Sequence, residues 1–104
     1  MIIQFNTDNT IEGSDRQNAY FSTSISEALS RFSNHITRLE VHITDENGHK
    51  EGKNDQRCMI EARLEGLQPI AVTNHADTIE HAVKGATDKL KASLDTAIGR
   101  LKTY

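Results

Sequence analysis

The side chains best suited to chemistry in this sequence are a set of cations, five imidazoles and a single thiol. Lys84, Lys89, Lys91 and Arg100 cluster toward the C-terminus, and Arg31 stands apart from them. Residues 82–104 hold five bases against Asp88 and Asp95, a balance of +3, whereas residues 1–81 hold seven bases against thirteen acids, a balance of −6. The whole chain is therefore acidic, at −3, which argues against a polyanion binder that is basic all over and concentrates positive surface toward the C-terminus. Lys84–Asp88 and Lys91–Asp95 have the i,i+4 spacing of neutralised helical pairs. Lys89 and Arg100 lie on the opposite flank without such partners, so they are the freer phosphate contacts. On charge alone a solvated, salt-bridged face is the simpler reading and an RNA patch the sharper one.

The remaining groups argue against a reaction centre. His42, Asp45, His49 and Glu51 gather around one loop, but no paired cysteines or H-x-x-x-H spacing supply preformed ligand geometry, so no metal is expected. Gly48 arrives too early for a calcium loop. Cys58 alternates in phase with apolar neighbours and reads as a buried, inert thiol. His35 suits a helix C-terminus, and His75 and His81 read as solvent-exposed. There is no phosphate-cradling glycine loop, nucleophile elbow or spaced carboxylate pair. The expectation is a protein that is not an enzyme and carries no cofactor.

The elements that position these groups follow from periodicity. The chain has 104 residues, 36% of them hydrophobic, with a mean hydropathy of −0.59, which suits one economical domain over residues 1–104. Lack of a signal peptide, of an ~18-residue apolar run and of a second cysteine points to a soluble cytoplasmic protein. Ile3 and Phe5 mark a first strand. Ser14 and Gln17 form a capping box ahead of a helix whose stripe is Phe21, Ile25, Ala28, Phe32 and Ile36. Leu39, Val41 and Ile43 alternate as a second strand, Asp45–Asp55 is a polar loop, and Cys58, Ile60, Ala62 and Leu64 form a third. Ile70 and Val72 begin a fourth, with Pro69 suiting an edge. Asp77 and Glu80 cap a long second helix with the stripe Ile79, Val83, Ala86, Leu90, Leu94, Ala97 and Leu101, reaching about Lys102.

The order β-α-β-β-β-α has one economical packing: an α+β two-layer sandwich with a four-stranded mixed sheet and both helices on one face. A right-handed crossover makes strands one and two parallel, and strands two to four form an antiparallel meander. For the meander, opposite charges favour pairing Glu40 with Arg63, Arg38 with Glu65 and His42 with Glu61. Sliding by two residues would set Glu40 against Glu61. The outward positions Arg38, Glu40, His42, Arg57, Met59, Glu61 and Arg63 include no aromatic ring, so this sheet is no base-stacking platform.

This element order, with Ile36-Thr37-Arg38-Leu39-Glu40-Val41-His42-Ile43 leading into strand two, resembles the ribosome hibernation promoting factor and ribosome-associated inhibitor family. Ala76-Asp77-Thr78-Ile79, Ala82-Val83 and Asp88-Lys89-Leu90 with Leu94 look like that family's second helix. The resemblance implies the fold of double-stranded-RNA-binding domains and a single short-form ribosome-associated domain. It also implies occupancy of the small subunit's decoding region, which silences or preserves idle ribosomes under stress. Lys89 is carried over as an rRNA-binding residue on this resemblance. Arg100, Lys91, Lys84 and Arg31 join it from position and charge. The implied partner is the small ribosomal subunit, approached by a monomer with no membrane or small-molecule cofactor. A protein-interaction or regulatory module on the same fold is the runner-up, and a small-molecule site between helices and sheet stands third.

Overall fold

Alternating apolar residues and two amphipathic stripes give the expected layers. A computed structural model of the protein describes residues 1–7, 15–45 and 56–101, with the side chains of Thr7, Asp15, Arg100 and Leu101 outside that description. Strand β1 (Ile2–Thr7) is followed by helix α1 (Asp15–Ala28), a 3₁₀ turn (Ser30–Phe32), strands β2 (Ile36–Asp45), β3 (Gln56–Leu64) and β4 (Ile70–Ala76), and helix α2 (Ile79–Leu101). Ser14 of the capping box, the loop residues 46–55 with His49 and Glu51, and Lys102 lie outside the described residues.

The sheet order is β1-β2-β3-β4, with β1 parallel to β2 and the rest antiparallel. Every second residue of the central strands (Leu39, Val41, Ile43, Cys58, Ile60 and Ala62) is fully buried. Phe21, Ile25 and Leu29 from the α1 region, and Ala82, Val83, Ala86, Leu90, Leu94 and Ile98 of α2, close the other side of this core. Removing a residue such as Leu90 or Leu94 from water contributes about 1.5–3 kcal/mol. No helix among the described residues is long and apolar enough to cross a membrane.

The register of β2 against β3 corrects the charge-pair expectation. Arg38 lies opposite Arg63, Glu40 opposite Glu61 and His42 opposite Met59. The Arg38–Glu65, Glu40–Arg63 and His42–Glu61 pairs do not form as direct partners. Like charges face one another because neighbours along each strand and diagonally across the pair neutralise them. Arg63 Nε sits 3.2 Å from Glu61 Oε1 and 3.6 Å from Glu40 Oε2, and an Arg38 nitrogen lies 3.7 Å from Glu40 Oε1. Arg38 also donates to the Gln4 side chain on β1. Diagonal reach in a twisted sheet outweighs the directly opposite pair here. The irregularity between Ile36 and Arg38 resets the ladder at the start of β2.

Both helices depart from expectation at one end. The first ends at Ala28, so Phe32 is buried in the 3₁₀ turn and Ile36 starts β2 instead of extending the helical stripe. Ser30, Ser33 and Asn34 are weak helix formers there. Thr78 caps α2: its Oγ1 accepts the His81 backbone N–H at 3.1 Å, the contact anticipated for Asp77. Within α2, Gly85 is a packing requirement. A Cβ there would collide with Nδ2 of Asn74, the β4 side chain that donates to the carbonyls of His81 and Ala82 at 3.4 and 3.3 Å.

Candidate nucleic-acid interface

Helices α1 and α2 run in the same direction across one face of the sheet, and two polar contacts join them. At one end the Tyr20 hydroxyl donates to Glu80 Oε1 at 3.5 Å. At the other, Arg31 is ion-paired with Asp95. Between these contacts the helices leave a trough of about 310 Å³, floored by Phe21 and Val83 and edged by Lys84 and Asp88. Ser24 and Ala28 also line it, and side chains this short leave its volume unfilled.

The expected phosphate-binding residues are distributed around this feature unevenly. Lys84, on the trough rim, pairs with Asp88 at 3.2 Å in the i,i+4 geometry, both side chains well exposed. Asp95 pairs with Arg31 across the helices, not with Lys91. Lys91 is exposed and has no partner among the described residues. Arg31 is further held over the Phe32 ring, its guanidinium carbon 4.6 Å from the centroid. Lys89 was expected to be free, but its Nζ donates to the backbone carbonyl of Thr73 at 2.8 Å, tying α2 to the edge strand β4. Arg100 falls in the last turn of α2, with its side chain outside the description. Thus Lys84 stands on the trough rim, Arg31 borders a separate depression with Asp95 and Ile98, Lys91 lies farther along α2, and Lys89 is on the flank that faces β4.

Two exposed residues of this face escaped the sequence reading. Arg16 precedes Tyr20 by one turn of α1 and has no partner among the described residues. Tyr20 itself is 57% exposed and is the only exposed aromatic residue among those described. The signal for Tyr20 was its phase: at 100° per residue it cannot share the buried stripe with Phe21. Among the described side chains, the exposed cations Arg16, Arg31, Lys84, Lys89 and Lys91 of the helical side stand beside the carboxylates Glu27, Glu80, Asp88 and Asp95, so these are close to electrically balanced.

The opposite face of the sheet carries the Arg38–Glu40–Arg63–Glu61 network, whose cations are already committed to carboxylates. Below the sheet, Cys58 is fully buried, and desolvation pushes its thiol up to about 12, opposed in part by the nearby Arg57 charge. Such a thiol stays protonated and unreactive. No group of three or more His, Cys, Asp or Glu side chains able to hold a metal occurs among the described residues.

Comparison with solved structures places this fold. The Thermus thermophilus Protein Y N-terminal domain matches with a TM-score of 0.72 at 19% identity, covering 92% of this chain and 98% of that one. A ribosomal subunit interface protein from Coxiella burnetii matches with a TM-score of 0.73 at 16% identity, covering 95% and 99%. A search of curated proteins found no significant match. The model of one family, sigma 54 modulation protein / S30EA ribosomal protein, matches residues 3–102. With that match running through every strand and both helices, the chain belongs to the sigma 54 modulation protein / S30EA ribosomal protein family, the hibernation-factor family anticipated from its second-strand and second-helix motifs.

Proposed function

We propose that this protein binds the small ribosomal subunit at the decoding region and keeps idle ribosomes inactive by occupying that space, with no chemistry of its own. The observation that carries this reading is the family match over residues 3–102. The likeness to a protein described as a ribosomal subunit interface protein supports it through the fold. Contact is through phosphates and shape, and a monomer in the cytoplasm suffices. Lys91 meets the RNA directly. Lys84 and Arg31 exchange carboxylate partners for phosphates, a cheap exchange because exposed ion pairs contribute only about 0–1 kcal/mol. Lys89 reaches RNA by leaving Thr73, and Arg100 extends the surface toward the C-terminus.

A second reading, a protein-interaction or regulatory module on the same fold, draws on Asp88 and Asp95, which neutralise Lys84 and Arg31 on the helical face. Sedimentation with purified ribosomes at two salt concentrations separates the two. Ribosome binding predicts co-migration with the small subunit that weakens as salt rises and weakens further in Lys91→Glu. Absence from ribosomes at low salt favours the interaction module.

A further inference from the structure

We propose that Tyr20 and the trough beside it form a stacking site for one unpaired RNA base; this rests on the ribosome-binding reading and adds to it a contact that is not electrostatic. Tyr20 is held in place without being buried. Its ring meets Phe21 edge-on, with centroids 5.3 Å apart and planes inclined by 61°. Its hydroxyl is tethered to Glu80. The ring stands between the trough and a shallower depression on the outer side of α1, bordering both. An exposed ring with open space beside it is what base stacking requires.

The flanking groups suit a nucleotide. Arg16 borders the outer depression together with Glu27, and Lys84, paired with Asp88, borders the trough, so a cation stands on either side of the ring where the phosphates flanking a stacked base would run. At about 310 Å³ the trough is at the small end of the ligand-site range, of the size for a single nucleoside. Its rim carboxylates, Glu80 and Asp88, accept hydrogen bonds. They favour adenine, guanine and cytosine, which carry exocyclic amines, over uracil. An arginine side chain from a protein partner would also satisfy those carboxylates, and the peptide arm of the test below separates it from a base.

The test compares wild type, Tyr20→Ala and Tyr20→Phe for small-subunit affinity over a range of salt. Tyr20→Ala is expected to bind about tenfold or more weakly with an unchanged salt slope, because no charge is lost. Tyr20→Phe should retain most of the affinity, and circular dichroism establishes that both variants fold. In parallel, Tyr104→Phe leaves Tyr20 as the sole intrinsic fluorophore in a chain without tryptophan. Its emission should be quenched more by an adenine oligonucleotide than by a uracil one. Wild-type affinity in Tyr20→Ala, or a loss accompanied by a shallower salt slope, overturns the stacking site and leaves ribosome binding intact. Quenching by the adenine oligonucleotide in a protein that ignores ribosomes supports the stacking site and overturns the ribosome reading. Binding of an arginine-rich peptide at Tyr20, with no response to either oligonucleotide, overturns the base site in favour of a protein partner.

Discussion

The two flanks of α2 are built on opposite principles. The flank against β4 is closed: Asn74 fills the space beside Gly85, and Lys89 holds the Thr73 carbonyl. The flank toward α1 is open, with a trough bounded by side chains that meet at Tyr20–Glu80 and at Arg31–Asp95. The same helix thus spends one lysine on holding the fold together and leaves others on a surface where partners can be exchanged. Position on a helix does not separate these roles; the neighbouring element does.

Filling the closed flank should have the largest effect. Gly85→Val places a side chain where Asn74 already sits and is expected to lower unfolding stability by about 1–3 kcal/mol, the range of core overpacking, as read from urea midpoints. Full stability in that variant would show that α2 and β4 are not closely docked.

The layer beneath offers a pH test. The Cys58 thiol is raised in the folded protein from 9.0 to about 12, so its contribution is complete below pH 9 and is lost as pH rises toward 12. Between these values the unfolded chain has released the proton and the folded chain has kept it. Stability should fall steadily across that window, by on the order of 1 kcal/mol per pH unit. Cys58→Val should remove that slope, and an unaltered slope would assign the alkaline loss to other groups.

A smaller contrast compares the two flanks directly. Lys89→Met gives up a charged hydrogen bond to a backbone carbonyl and should cost about 1 kcal/mol. Lys84→Met breaks only an exposed ion pair and should stay within about 0.5 kcal/mol. Equal costs, measured by chemical denaturation, would erase the distinction between the flanks.

Layer order, strand alternation, the direction of every strand and the burial of Cys58 were legible in the sequence, because each follows from a period of two or of about 3.6 over several residues. The meander register was not. It depends on Arg63 reaching Glu40 diagonally and Glu61 along its own strand, which a rule about facing pairs does not contain. The end of the first helix was misplaced because Phe32 and Ile36 continue the helical spacing although the backbone has already turned. For the site, Lys84–Asp88 was visible as an i,i+4 pair. Asp95's choice of Arg31 over Lys91, and Lys89's carbonyl partner, depend on residues distant in sequence. Ala82, Thr87 and Ile98 join the buried side of α2 because a helix lying across a sheet covers a stripe wider than one residue per turn.

The most direct test of the central claim is to compare the salt dependence of small-subunit binding for one neutralised cation on each side of the molecule. Lys91→Ala, on the helical side, should weaken binding and make the logarithmic salt slope shallower by about 0.7–0.9, the loss of one phosphate contact. Arg57→Ala, on the sheet side, should leave both unchanged. A shallower slope in Arg57→Ala with none in Lys91→Ala, or no binding by the wild-type protein at low salt, would contradict the account.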